Sequence, residues 1–400
     1  MADSVLHDTK ILILQNSILT KEKGVMDYRS KVNNMESYSQ ITIVGMGLIG
    51  GSIGLALSRR NLCKKIIGVD EFSVIHRALE RGAITDGFNR TELEKAIKGS
   101  EIIFICTPVQ QIVEMLPTFA KAADENSLVS DVGSSKEFIV EQANKHFSEN
   151  KYFLGTHPMA GAEARGIDSA DPFLFENAIW VMTPGHRIPE KVTRKLGLLL
   201  EGMGAKILML TPKMHDRIIA AVSHLPQFAA VSLVNLIARF HQEDPNYLKL
   251  AAGGFRDMTR IASSPYSVWK DICRTNQQQI LTFIDEYIAE LQRIKKYLQN
   301  EELESYFNQA AITRLAIPKD SKGFIRPMYD VSIAVEDEPG VIAKFSKVLS
   351  ENNINIKDIE VLKVREGEGG TIRLAFENEA NRQKAVDLIR EVGFSCHARD

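Results

Sequence analysis

His157 stands at the head of His157-Pro-Met-Ala-Gly161, closing an apolar run that reads as a strand. An imidazole titrates near neutrality, so it can accept a proton from a hydroxyl while hydride leaves the same carbon. Ser134, in Asp131-Val-Gly-Ser-Ser-Lys136, can orient that hydroxyl, cap the helix expected from residue 135, or do both. Further along, Gly253-Gly-Phe-Arg-Asp-Met-Thr-Arg260 sets Arg256 and Arg260 four residues apart, on one face if the segment is helical. Guanidinium forks suit bidentate capture of a carboxylate, although Asp257 could instead hold one of the two arginines. His224, in Ser223-His-Leu-Pro226, lies on an apolar helical stretch, where a histidine is more often satisfied core than catalyst. Trp269 either walls a pocket or fills core, with core the default.

These groups need a frame, and the chain supplies one. Ile41 to Val44 run into Gly45, Gly47 and Gly50, with Leu48 and Ile49 between the glycines. A helical pattern of Ile53, Leu55, Ala56 and Leu57 follows. Strand, glycine turn and helix start form the fingerprint of a dinucleotide pyrophosphate site. Gly45 permits the turn, Gly47 lets the phosphates approach the backbone, and Gly50 lets helix and strand pack closely. The phosphates then meet a helix N-terminus, whose free N–H groups favour anions. A second apolar run ends on Asp70, 20 residues after Gly50, where a carboxylate meets the ribose hydroxyls of NAD. Glu71 follows at once. Two negative charges would repel a 2′-phosphate, so NAD is favoured over NADP.

Strands are expected at 41–45, 65–70, 102–106, 127–131, 152–156, 179–183 and 206–210, with helices between several of them, including 110–123, 135–147 and 189–203. The alternation predicts an α/β fold, a doubly wound and mostly parallel Rossmann-type sheet with helices on both faces. Ligands in such sheets lie beyond the carboxyl ends of the strands. Thr107-Pro108, Asp131 to Lys136 and His157 to Gly161 all fall there and should meet near the nicotinamide.

From about 212 to 315 helices take over. Ile218 to Ala238 carries no formal charge and is long enough to span a bilayer. His224, Pro226, Gln227 and Asn235 interrupt it, so the reading is a buried helix pair in an oligomer core and no membrane span. Ile284, Tyr287, Leu291, Ile294 and Leu298 form a heptad-like seam, either intrachain packing or a helix interface between subunits. Pro318, Gly323 and Pro327 mark a linker over 316–328, and a βαββαβ module fills 329–400. The expected organisation is therefore a poorly ordered extension at 1–38, a nucleotide domain at 39–211, a helical domain at 212–315, the linker, and the small C-terminal module. A net charge of −2 gives no footprint for nucleic acid. Cys63, Cys106, Cys273 and Cys396 form no CxxC pair, so they read as reduced and cytosolic, and no metal site is expected.

The glycine turn, Asp131-Val-Gly-Ser134, His157-Pro-Met-Ala-Gly161, Ser223-His-Leu-Pro226, Phe255-Arg-Asp-Met-Thr-Arg-Ile-Ala262 and Trp269 occur in the order seen in the prephenate dehydrogenase family, which the chain resembles from about 40 to 315. The tail resembles an ACT domain, with Asp337-Glu-Pro-Gly340 as its first turn. The resemblance implies NAD-dependent oxidative decarboxylation of prephenate to 4-hydroxyphenylpyruvate on the route to tyrosine, in a cytoplasmic homodimer joined through the helical domain. It implies His157 as base, Ser134 as its assistant, Arg260 on a substrate carboxylate and Glu163 guarding the entrance. His224, Arg256 and Trp269 are further candidates around the substrate. One departure is Gln227, where many members carry a second histidine. Glutamine can hydrogen-bond but carries no charge, which leaves arogenate open as the substrate. The ACT resemblance implies tyrosine feedback, with Gly340, Val341 and Asn353 as candidate contacts, or else a module that only assembles. A non-catalytic sensor of NAD and amino acids is the reading from another class. The intact Ser134, His157 and Arg260 argue against it.

Overall fold

The computed structural model describes residues 37–148, 150–161, 165–185, 187–300, 303–316, 329–336, 338–365 and 369–399. Most of the expected N-terminal extension and linker, and Glu163, lie outside these residues. The chain divides into two compact units, residues 1–305 and 306–400.

In the first unit, eight strands form one sheet in the order β3-β2-β1-β4-β5-β6-β7-β8. They are β1 (Tyr38–Val44), β2 (Cys63–Asp70), β3 (Asp86–Asn89), β4 (Ile102–Ile105), β5 (Leu128–Asp131), β6 (Tyr152–Pro158), β7 (Ile179–Thr183) and β8 (Lys206–Met209). β1 to β6 run parallel in the doubly wound order, while β7 is antiparallel to β6 and parallel to β8. The continuous apolar run of β4 has a physical cause. Ile102 and Phe104 enter the core on one face of the sheet, Ile103 and Ile105 the core on the other. A strand covered on both faces has no polar positions to alternate with. β3 was not expected, because Asp-Gly-Phe-Asn offers no apolar run. It is held by parallel pairing to β2.

Register fixes what the carboxyl edge presents. Val44, Ile105, Asp131 and Gly155 lie side by side across β1, β4, β5 and β6. The residues that follow, Gly45, Cys106, Val132 and Thr156-His157, therefore line one edge. Three strand spacings separate β1 from β6, about 14 Å.

Beyond β8 the chain is helical. Pro212–Ile219, a π-helical turn Ala220–His224 and Leu225–His241 follow one another without a break. The expected helix pair is thus one helix with a π turn in it, long and apolar enough to cross a membrane by length and composition alone. It buries His215, Asp216, His224 and Gln227. The helix Gln277–Gln299 carries the heptad-like seam. Ile284 packs on Ala220, Ile272 and Ile280, whereas Leu291 and Leu298 are exposed in the single chain.

The second unit has β9 (Tyr329–Val335), a helix Val341–Glu351, β10 (Asp358–Arg365), β11 (Gly369–Phe376), a helix Glu379–Glu391 and β12 (Ser395–Arg399). Its sheet order is β10-β11-β9-β12, antiparallel throughout. Val331, Ile333, Phe345, Leu349, Leu374 and Ile389 fill a core of its own. Gly340 has φ +90° ahead of the first helix, where a Cβ would meet nothing among the described residues, and Asn353 also has positive φ and is exposed. Val341 is buried in that core, so its side chain is taken by packing.

Candidate active site

The glycine turn sits at the end of β1. Gly45 has φ +93°, and a Cβ there would lie 2.8 Å from the Cys106 carbonyl oxygen. A Cβ on Gly50 would fall 2.0 Å from the Gly45 carbonyl oxygen, closer than any side chain can approach. At Gly47 nothing lies within 4 Å, which leaves the space above it open. Gly47 is also the N-cap of the helix Leu48–Arg59, and no side chain caps that end. The first N–H groups, from Leu48 and Ile49 onward, are thus open to an anion. These residues fit the pyrophosphate of a dinucleotide. Thr107 packs against Gly45 from the end of β4, and Pro108 is the N-cap of the helix Val109–Ala122.

At the other end of the edge, a chain of hydrogen bonds reaches His157. Its Nδ1 lies 2.9 Å from His215 Nε2, and His215 Nδ1 lies 2.7 Å from Asp216 Oδ1. With Asp216 accepting from His215 Nδ1, the Nε2 lone pair of His215 faces His157, which donates from Nδ1. The second ring nitrogen of His157 then carries a lone pair for the cavity the residue lines. Burial first, and then His215, Lys136 and His224, hold the His157 imidazole well below the usual histidine range. It is therefore a neutral base at physiological pH. Burial likewise takes His224 down to about 4, with Asp216 working against the shift. The Asn276 amide nitrogen lies 3.4 Å from His224 Nδ1 and donates to the Asp216 carbonyl at 2.8 Å.

Asp216 does more than hold His215. Its carboxylate accepts the backbone N–H of Lys136 at 2.7 Å and of Glu137 at 2.8 Å, at the start of the helix Glu137–Ala143. It fills the capping role that sequence left open for Ser134. Ser134 lines the cavity beside His157 instead. Ser135 is buried and shares a 2.8 Å hydrogen bond with Thr275. Asp271 accepts the N–H of Gln110 at 3.0 Å, so a second helix of the nucleotide domain is also capped from the helical segment. Beneath them, Lys136 pairs with Asp131, both fully buried. Burial pushes the Asp131 carboxyl up and the Lys136 ammonium down, against their mutual attraction.

The cavity measures about 260 Å³ and is lined by Ser134, His157, Ile219, Ser223, His224 and Trp269, among others. The π turn brings Ser223 and His224 into it. Trp269 packs edge-on against His224 and Phe228, and its buried Nε1 has no hydrogen-bond partner among the described residues. Gln227 is buried but is not part of the lining. Arg256, on the helix Gly253–Thr259, and Arg260, on the turn after it, are exposed and do not line this cavity. A larger cavity, about 560 Å³, opens at the opposite edge of the sheet near Asp124 and Lys195, away from these groups.

His215, Asp216, Asp271 and Asn276 are not among the residues that the sequence pattern marks as candidates. The one available signal is a His-Asp pair just ahead of the uncharged stretch Ile218 to Ala238.

Comparison with known proteins places three segments. Residues 53–209 match the nucleotide-binding domain of prephenate dehydrogenase, 211–311 its dimerization domain, and 329–394 the ACT domain. Prephenate dehydrogenase of Bacillus subtilis is 36% identical over 87% of this chain and 95% of its own length. That of Lactococcus lactis is 34% identical over 88% and 98%. Among solved structures, prephenate dehydrogenase of A. aeolicus with hydroxyphenyl propionate and NAD+ covers 71% of the chain and all of its own (TM-score 0.66, 28% identity). Synechocystis arogenate dehydrogenase covers 69% and 98% (TM-score 0.61, 32% identity).

Proposed function

The chain belongs to the prephenate dehydrogenase family, and we propose that it converts prephenate to 4-hydroxyphenylpyruvate with NAD, on the route to tyrosine. The observation that carries this reading is His157, held neutral and oriented by His215 and Asp216, in one cavity with Ser134 at the carboxyl edge of a dinucleotide-type sheet. NAD supplies the hydride acceptor, and Gly45, Gly47, Leu48, Ile49, Gly50, Asp70, Thr107 and Pro108 are its proposed contacts. At the carbinol carbon the C–H pair departs as hydride. The ring carboxylate leaves as carbon dioxide, and its bonding pair enters the ring, which becomes aromatic. His157 takes the hydroxyl proton as hydride leaves and returns it to the phenol oxygen, so no net proton is consumed. Ser134 orients the hydroxyl, and Trp269 and His224 wall the ring. Arg260, which like Arg256 is exposed and outside the cavity lining in the single chain, is assigned to a substrate carboxylate by the family resemblance, as Glu163 is to the entrance.

Arogenate is the second reading, favoured by Gln227 and by the likeness to the Synechocystis enzyme. Gln227 lies outside the cavity lining, three residues after His224, and adds no positive charge there that would repel the ammonium of arogenate. The dimerization segment and the exposed Leu291 and Leu298 support a homodimer. The free cysteines fit a reducing cytoplasm. The ACT domain is assigned to tyrosine feedback through Gly340 and Asn353. The test is an assay of the purified protein on prephenate and on arogenate with NAD, beside His157→Ala. The variant should lose about 10²- to 10⁴-fold in kcat while still binding NAD. Turnover of arogenate alone would refute the prephenate assignment, and unchanged turnover by the variant would refute the base.

A further inference from the structure

Asp70 ends β2 beside the glycine turn, where a ribose carboxylate is expected, but its oxygens are already engaged. Oδ2 accepts the Met46 N–H at 2.8 Å. Oδ1 accepts the Glu71 N–H at 2.8 Å, Arg90 Nε at 2.9 Å, and Arg90 Nη2. Each carboxylate oxygen offers about two lone-pair sites; three donors crowd Oδ1, while Oδ2 meets one. The Asp70 side chain is only 8% exposed. The carboxylate therefore ties the glycine turn to the residue after β3, and only Oδ2 retains capacity for a ribose hydroxyl.

Arg90 is placed differently. Its side chain is 55% exposed, and Nη1 lies 3.4 Å from Glu71 Oε1, itself on a 64% exposed side chain. Two of its five N–H groups point to Asp70, which leaves the outer edge of the fork to Glu71 and solvent. The pair of carboxylates that would repel a 2′-phosphate is thus bridged by a guanidinium. Two negative charges and one positive leave a net charge of −1, and the partner at the outer edge is a surface side chain that can swing away.

We propose that Arg90 is the residue by which this site meets the 2′ position of the adenosine ribose, so that the site accepts the 2′-phosphorylated dinucleotide as well as NAD. This rests on reading residues 45–50 as a dinucleotide site. NAD uses Oδ2 of Asp70. A 2′-phosphate displaces Glu71 and takes the outer N–H groups of Arg90, a planar fork suited to phosphate oxygens. The remaining negative charge makes the phosphorylated form the weaker ligand without excluding it.

The experiment is titration calorimetry of the full-length protein with NAD and with NADP, repeated on Arg90→Ala and Glu71→Gln. Wild type should bind both, NADP more weakly. Arg90→Ala removes a partner of Asp70 as well as the phosphate contact, so both nucleotides should weaken, NADP by about tenfold more than NAD, the scale of a lost charge-assisted hydrogen bond. Glu71→Gln, at an exposed position, should tighten NADP by several-fold. Equal losses for both nucleotides in Arg90→Ala, NADP binding unmoved by Glu71→Gln, or no NADP binding by wild type would each overturn the proposal. Failure of wild type to bind NAD would instead overturn the underlying site.

Discussion

Nδ1 of His157 lies 2.9 Å from Nε2 of His215, although 58 residues separate the two in sequence. One ring comes from the end of β6 and the other from the first helix beyond the sheet. The second histidine fixes which nitrogen of the first is free, and Asp216 fixes the second in turn.

That arrangement predicts how Asp216→Asn behaves. The asparagine oxygen can accept at only one of the two carboxylate positions, and its amide nitrogen would face donors at the other, either Glu137 N–H or His215 and Lys136 N–H. Loss of a cap costs about 1 kcal/mol, and the freed imidazole no longer has a fixed tautomer. We expect a drop of about tenfold or more in kcat, a small change in substrate KM, and a modest fall in melting temperature. His215→Asn should lower kcat without the stability loss, because Asp216 keeps both of its backbone caps. Steady-state kinetics beside thermal melts on the two variants decide the matter; a KM effect with unchanged kcat would assign the pair to substrate binding.

Acid sensitivity follows from His224. Its folded pKa, about 4, is below the value near 6.5 of an unfolded histidine. Below 6.5 the unfolded chain therefore binds the extra proton first. The stabilisation is complete above 6.5 and is lost progressively as pH falls toward 4, with an upper scale of roughly 3 kcal/mol. His157 is shifted in the same direction and steepens the loss. Urea unfolding at pH 7 and pH 5 should show wild type weakening more than His224→Gln. Parallel loss in both proteins would mean that other groups govern the acid limb. The same depression keeps His157 a competent base below pH 6.5, so the acid limb of kcat/KM should lie lower than for a free imidazole.

Some of this was readable in sequence, because local geometry enforces it. The spacing of Gly45, Gly47 and Gly50 follows from contacts within a single turn, and a Cβ on Gly50 collides with a residue five positions away. His157 was readable because a strand end next to a polar loop is also a local pattern. Asp216 was not. Its partners Lys136 and Glu137 lie about 80 residues upstream, and only the packing of the helical segment onto the sheet brings them together. Arg90 was hidden for the same reason. Its meaning depends on β3, a strand with no apolar run, pairing with β2. The π turn at Ala220–His224 was hidden by Pro226, which suggested a break where the helix runs on.

Feedback is the remaining expectation. The ACT unit has its own buried core and so does not need the catalytic unit to complete its sheet. Gly340 sits at φ +90°, a conformation that an L side chain adopts only with strain, and no described residue comes within 4 Å of where its Cβ would be. A small ligand can approach the backbone there because no Cβ stands in the way. Gly340→Val should therefore strain the turn and obstruct the approach together. With NAD saturating and prephenate near its KM, tyrosine should inhibit wild type, and Gly340→Val should need at least about tenfold more tyrosine for half inhibition at unchanged kcat. A chain ending near residue 326 should not respond at all. Inhibition that survives in the truncated protein would place tyrosine in the catalytic cavity, where its likeness to the product lets it compete with prephenate.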